Sequence, residues 1–341
     1  MWAASTTVAA LRWRDGLELL DQRALPDRER WLAVAGVADA VRAIRSLAVR
    51  GAPAIGLAAA YALACEARAH PDLDHLRRAA RRLAAARPTG ADLAHAVGEV
   101  LRAVEDAPRE ARFARALAVA EALHAADAEA CLAMGRHGAP LFGGEKVALL
   151  THCNAGALAT GGIGSALGIV RTVHAQGRLA RLYACEARPV LQGARLTAWE
   201  AVRDGIPCTL LADAAAASLL ASGAVHGVVV GADRIAADGS VANKVGTYAL
   251  AVAAARHGVP LVVAAPTTTF DLACADGAAI RIEQRDGAEV RTIGRRRLAP
   301  AEVSVYNPAF DVTPPELVAA IVSERGVARP VTPSSVRSIA G

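Results

Sequence analysis

The stretch Thr151-His152-Cys153-Asn154 sets a thiol between an imidazole and an amide, where the apolar run KVALL gives way to the glycine-rich turn AGALATGGIG. A cysteine near a helix N-terminus is a base or nucleophile in waiting, because the helix dipole favours the thiolate. About 80 residues on, GVVVGADRIAADGSVANKVGTYALA carries a second apolar run to Asp233 and Arg234, then an Asp-Gly turn, then Asn243 and Lys244. These last two are expected to open a helix, with Asn243 as N-cap and Lys244 beside exposed N–H groups, a combination that binds anions such as phosphate. A capped helix with a solvated lysine is the plainer alternative. In VRGAPAIG, Arg50 precedes small residues and a helix start with Pro53 in its first turn. From the residues alone, Arg50 suits an anion or a surface ion pair.

The elements that must position these groups follow from the apolar spacing. ALRWRDGLELLD alternates around an Asp-Gly turn and reads as a hairpin; after it the spacing is close to 3.6. Helices are expected over Val37–Val49, Ala54–Ala69, Leu73–Ala86, Ala91–Glu105 and about Arg109 to His137. From Lys146 the rhythm changes. KVALLT, RLYACE, CTLLAD, GVVVGAD and PLVVAAP are short strands separated by stretches long enough for crossover helices, which is a parallel sheet with helices on both faces. The fold class is therefore α/β: a helical N-terminal domain with a small β-hairpin over 1–142, then a Rossmann-like parallel-sheet domain over 143–341. The Pro- and Ser-containing tail after Arg329 reads as loose.

In open parallel sheets, ligands sit beyond the carboxyl ends of the strands. Four strand ends carry polar residues: Thr151 to Asn154, then Cys185 and Glu186, then Asp213, then Asp233 and Arg234. Cys153 and Asp233 thus belong on one edge of the sheet. Gly162, Gly164 and Gly168 give GxGxxxG several residues into the turn, not the dinucleotide GxGxxG, so a nicotinamide cofactor is disfavoured and close helix packing explains the glycines as well.

Six cysteines without close pairing or a CxxC argue against a disulfide framework and against a zinc site; Cys65, Cys131, Cys208 and Cys274 read as structural thiols. No apolar stretch approaches the roughly 18 residues of a membrane span. The start lacks a secretory pattern, because Arg12, Arg14 and Asp15 interrupt it, so a cytoplasmic protein is expected. The net charge of +5 suits an anionic small molecule as well as nucleic acid, and with aromatics at 4% there are few platforms for stacking bases.

In order and completeness, the blocks DGLELLDQRALP, VRGAPAIGLAAAYA, ARPTG, LTHCNAGALATGG, RPVLQGARLTAWE, GIPCTLLAD, GADRIAADGSVANKVGTYALA and NPAFDVTPPELV resemble the methylthioribose-1-phosphate isomerase family. That family shares its fold with regulatory subunits of a eukaryotic initiation-factor exchange complex. The resemblance implies a catalytic pair, Cys153 and Asp233, and substrate contacts from Arg50, Gly51, Ala52, Arg87, Gln192, Asn243 and Lys244. It further implies conversion of 5-methylthioribose 1-phosphate to the ribulose 1-phosphate in methionine salvage, with no cofactor or metal, no nucleic-acid or membrane partner, and a homodimer.

Two departures bear on the sugar. In RPTGADLAHA, Asp92 and His95 stand where the family has asparagine and tryptophan, and Cys185, Glu186 and Ala187 replace Asp-Glu-Thr. Asp92 and His95 share a helix face with Glu99, the look of a solvated stripe. An isomerase of 5-deoxyribose 1-phosphate or ribose 1,5-bisphosphate and a non-catalytic sensor of sugar phosphates or nucleotides are the competing readings. Within the isomerase reading, an enediolate and a hydride shift from C2 to C1 both stay open.

Overall fold

A computed structural model describes residues 4–87, 91–294 and 296–341. The chain opens with an antiparallel sheet of β1 (Leu11–Trp13), β2 (Leu17–Leu20) and β3 (Trp31–Val34), in that order. The Asp-Gly turn marks the first two strands; the third carries no such signal. Five helices follow: α1 (Val37–Arg45), α2 (Ala52–Ala69), α3 (Leu73–Ala84), α4 (Ala91–Glu105) and α5 (Arg112–Gly138). Helix α1 stops short of the expected Val49, and Leu47 beyond it takes a left-handed φ of 58°. Helix α2 is buried along nearly its whole length, and α1, α3, α4 and α5 all pack on it. Its alanines make that crowding possible, since a helix apolar on every side belongs in a core.

The second half runs β4 (Val147–Thr151), α6 (Ala166–Ala175), β5 (Leu179–Cys185), α7 (Ala198–Arg203), β6 (Cys208–Leu211), α8 (Ala216–Ala221), β7 (Gly227–Val230), β8 (Arg234–Ala236), β9 (Val241–Lys244), α9 (Thr247–Arg256), β10 (Leu261–Ala264), β11 (Phe270–Asp271), α10 (Ala288–Arg291), β12 (Thr292–Ile293), β13 (Arg296–Arg297), β14 (Phe310–Thr313), β15 (Ala320–Ser323), β16 (Gly326–Ala328) and α11 (Pro333–Ala340). The main sheet has the order β16-β15-β10-β7-β4-β5-β6 and is parallel except for β16. A smaller sheet, β11-β8-β9-β14, stands beside it.

Alternation along the strands builds the two layers of core, because successive side chains point to opposite faces. Leu149, Val229 and Val262 pack with Met134, Ile169 and Val173 on one face; Leu150, Val228, Val230 and Val263 pack with Leu220, Leu250, Val336 and Ile339 on the other. Helix α5 contributes Ala116 and Ala120 to the N-terminal core and Cys131 and Met134 to the first of these layers, so it ties the helical half to the sheet.

The tail is not loose. Helix α11 begins with a reciprocal capping box between Thr332 and Ser335 and buries Val336 and Ile339 against the sheet. Two buried apolar residues three apart and a cap suffice to fix it, even among Pro and Ser.

Between β4 and β7 the strand order reverses direction: β5 and β6 lie on one side of β4, and β7, β10 and β15 on the other. Helices that leave opposite sides of this point open a crevice beyond the strand ends.

Candidate active site

A cavity of about 460 Å³ occupies that crevice. Cys153, two residues beyond β4, and Asp233, three beyond β7, both line it, together with Arg50, Gly51, Ala52, Arg87, Gln192, Asn243 and Lys244. Every site residue expected from the sequence is thereby brought to one place.

Cys153 is half-buried and held at φ 63°, a left-handed conformation that a non-glycine residue adopts at some cost. The bonds around it fix the turn: Thr197 Oγ1 donates to the Cys153 carbonyl at 2.6 Å, and Asn154 Nδ2 donates to Glu200 Oε1 at 2.9 Å. Buried Glu200 also accepts the N–H groups of Ala157 and Leu158 and is paired with Arg171. Thr197 belongs to a π-helical turn, Gly193–Thr197, leading into α7. This supporting layer comes from LTAWE, whose polar residues gave no sign of their role because nothing in their spacing places them under the β4 turn. The expected helix dipole at Cys153 is absent: α6 begins only at Ala166, and the turn contains just the short 3-10 segment Ala157–Ala159.

Arg50 reaches the cavity because of Gly51. Gly51 has φ 88°, and a Cβ there would meet Ala159 at 2.5 Å, so only glycine lets the start of α2 seat on the β4 turn. Arg50 is no surface ion pair: its Nη1 is buried without a hydrogen-bond partner. Gln192 Oε1 and Asn154 Oδ1 are orphaned in the same way at the cavity wall. Buried polar atoms are nearly always satisfied, so three orphans around one cavity mark where a polar ligand belongs.

Asn243 and Lys244 do not open a helix. They end β9, and the following helix starts at Thr247 after the left-handed Gly246. Its first N–H groups are capped across the sheet by Asp311, which accepts from Gly246 at 2.6 Å and Tyr248 at 3.0 Å. Long-range pairing of β9 with β14 overrides the local N-cap preference of asparagine. Lys244 Nζ donates to the Ala309 carbonyl at 2.8 Å and lies 5.0 Å from the Phe310 ring centre, which aims it along the cavity wall.

Asp233 lines the same cavity. Protein surrounds it closely, yet its own surface opens to the cavity. Burial pushes its carboxyl pKa up, against the opposing pull of Arg87, Lys244 and Arg50. Water in the open cavity moderates this effect, and a ligand that displaces the water strengthens it. The site therefore combines a carboxyl whose pKa is raised, a thiol, and five cationic side chains, Arg45, Arg50, Arg87, Lys244 and Arg285, with Glu283 beside them and Ile44, Leu47, Ala86 and Val190 as apolar lining.

Asp92 and His95 are elsewhere. Asp92 is buried, contrary to the solvated stripe, whereas His95 is exposed beside Glu99 as that stripe expects; Asp92, His95, Asp127 and Glu324 line a separate cavity of about 190 Å³. Pro53 and Pro266 border both cavities. Helix α4 packs on α2 and α5, which turns the Asp92 side of the helix inward. Gly162 and Gly168 serve helix packing, facing Ala128 and Cys131 of α5.

A doubly wound α/β sheet with helices packed beside its switch point, and a cavity there lined by cationic side chains, is the class that fold and site define. Residues 48–330 match the initiation factor 2 subunit family, and the chain belongs to it. It is 56% identical to the methylthioribose-1-phosphate isomerase of Anaeromyxobacter sp. (strain K) over 93% of this chain and 91% of the relative. Identity to the isomerase of that name from Pseudomonas aeruginosa PAO1 is 49%, over 95% and 93%. Among solved structures, 5-methylthioribose 1-phosphate isomerase from Pyrococcus horikoshii OT3 superposes with a TM-score of 0.93 at 39% identity, covering 98% of this chain and 96% of that one. The A. fulgidus structure described as translation initiation factor eIF-2B subunit delta gives 0.89 at 41%, covering 97% and 100%.

Proposed function

We propose that this chain is an aldose-ketose isomerase that converts 5-methylthioribose 1-phosphate to 5-methylthioribulose 1-phosphate in methionine salvage. The observation that carries this reading is the meeting of Cys153 and Asp233 in one cation-lined cavity. The kinship with isomerases of that name agrees with it. Arg50, Arg87, Asn243 and Lys244 take the phosphate end, and Gln192 a sugar hydroxyl. The apolar residues Ile44, Leu47, Ala86 and Val190 take the methylthio group, which gains from burial at roughly 25 cal/mol per Å².

The phosphate on C1 prevents a free aldehyde from forming, so ring opening and loss of the C2 hydrogen are coupled. Protonated Asp233 gives its proton to the ring oxygen as the bond from C1 to that oxygen breaks, and the Cys153 thiolate takes the proton from C2. The enediol intermediate then collapses: the C2 hydroxyl returns a proton to Asp233 and becomes the ketone, while Cys153 delivers its proton to C1. Both side chains end in their starting forms. In the hydride-shift alternative the C2 hydrogen moves directly to C1 and Cys153 only shapes the site.

The likeness to the subunit from A. fulgidus favours a second reading, a regulatory sugar-phosphate or nucleotide sensor. A sensor has no need of a thiol facing a carboxyl. The deciding assay measures turnover of 5-methylthioribose 1-phosphate beside ribose 1,5-bisphosphate and 5-deoxyribose 1-phosphate. Isomerisation with the methylthio sugar as best substrate is expected; binding of all three with no turnover supports the sensor.

The division into domains at 142/143, a cytoplasmic location and a homodimer complete the proposal. Among the described residues no helix is long and apolar enough to cross a membrane. Leu210 on the edge strand β6 and Tyr248 and Val252 on α9 are exposed apolar residues available to a second copy. Sedimentation of the purified protein tests the dimer.

A further inference from the structure

The strand ends hold a second constellation. His152, Cys185 and Asp213 follow or end β4, β5 and β6, three neighbours in the sheet, and one ligand atom from each lies within 4.8 Å of the other two. His152 Nε2 is 2.9 Å from the Val245 carbonyl, which can only accept, so Nε2 carries the hydrogen. In the neutral ring Nδ1 is then a bare lone pair, and it faces Asp213 Oδ1 at 3.8 Å. Asp213 is oriented by the N–H groups of Ala187 and Arg188, both 2.8 Å away. Among the described residues, no hydrogen bond joins any two of the three groups. Two acceptors and a thiol thus converge in a largely buried spot.

The geometry points to a transition-metal site formed by His152 Nδ1, Cys185 Sγ and an Asp213 carboxylate oxygen, suited to a borderline-soft divalent ion such as Zn²⁺ or Co²⁺. One nitrogen, one sulfur and one oxygen form a ligand set of the kind such ions take. At metal–ligand bonds of about 2.0–2.3 Å, tetrahedral neighbours sit roughly 3.4 Å apart. The 3.8 Å between His152 and Asp213 therefore closes with small side-chain movements. The Val245 carbonyl plays the outer partner that a ligating histidine needs to hold its ring and tautomer. Asp213, with its side chain 31% exposed, gives the ion a path in and leaves a fourth position to water. On binding, the Cys185 S–H bond breaks, sulfur bonds to the metal, and the proton leaves to solvent. Occupancy would tie the three strand ends together through the residue next to Cys153. The site stands whether or not the isomerase reading does.

The test titrates chelator-treated protein with Co²⁺ and follows near-ultraviolet absorption. One equivalent should produce a thiolate-to-cobalt charge-transfer band that persists in Cys153→Ser and vanishes in Cys185→Ser. No band in the wild-type protein, or a band lost in Cys153→Ser but kept in Cys185→Ser, overturns the site. If Cys185→Ser lacks a cooperative thermal transition, His152→Gln supplies the answer: Co²⁺ binding weakened by at least about tenfold supports the assignment, and unchanged binding refutes it.

Discussion

Cys153 and Asp233, 80 positions apart in the chain, leave the sheet on adjacent strands β4 and β7 and face one cavity from the two sides of its switch point. Neither residue is special by type. Their pairing follows from the parallel register of β4 with β7, in which Leu150 lies beside Val228 and both chains run toward the same edge.

Replacement of Cys153 by Ser should lower kcat by at least about 100-fold while the Kd for substrate changes little, because the proposed phosphate contacts lie on other residues. Cys274→Ser, a half-buried thiol that does not line the cavity, serves as control and should keep wild-type rates. Retention of more than about a tenth of the wild-type rate in Cys153→Ser removes the thiol from the proton-transfer steps.

In the proposed mechanism Asp233 must be protonated to open the ring. Its pKa is raised by burial, so the alkaline fall of kcat/KM that reports its ionisation should lie above the ordinary carboxyl range. Arg87→Met removes a charge that pulls the pKa down, so the alkaline limb should move to higher pH even as KM worsens. Asp233→Asn should lose at least about 100-fold in kcat with its thermal transition intact; loss of that transition instead makes the aspartate structural.

Gly51→Ala should both destabilise the protein and weaken substrate binding. The positive φ alone costs about 1–3 kcal/mol for a residue with a Cβ, and the Ala159 backbone in its way adds to that. A lowered Tm and a raised KM with kcat less affected are expected, since Arg50 moves with the start of α2. An unchanged KM separates Arg50 from phosphate binding.

Asp127, in the smaller cavity, has its carboxyl pushed up from 3.8 to about 6, chiefly by desolvation. The folded state holds the proton more tightly, so the stability this proton confers is present below the unfolded pKa and is lost as pH rises through about 6. Asp127→Asn removes that loss while its side-chain oxygen still accepts from Gly161. Its Tm should exceed the wild-type Tm at pH 7.5, and the gap should close near pH 4. An equal gap at both values dissociates the effect from ionisation.

Periodicity alone made the architecture legible, because runs such as GVVV and LVVA can be buried on both faces only in a covered parallel sheet. It also marked the strand ends as the place of chemistry. The fine positions were another matter. Asn243 reads as an N-cap within its own segment, yet β14, nearly 70 residues later, claims it for a strand and lends Asp311 as the cap. Asp92 reads as solvated on an isolated helix, and only packing on α2 and α5 turns it inward.

By itself the sequence determined the α/β layering and the strand ends bearing Cys153 and Asp233, since each depends on residues close in the chain, whereas the need for glycine at residue 51 comes from Ala159, far off in the sequence. Tertiary structure alone decided which distant groups meet. The strand order placed β7, not β5 or β10 alone, beside β4 at the switch point, and so set Asp233 across the cavity from Cys153. The same order gathered His152, Cys185 and Asp213, which have no ligand spacing in the sequence because each arrives on a different strand. Contacts across a sheet are fixed by register and crossover, and neither is written in any local pattern.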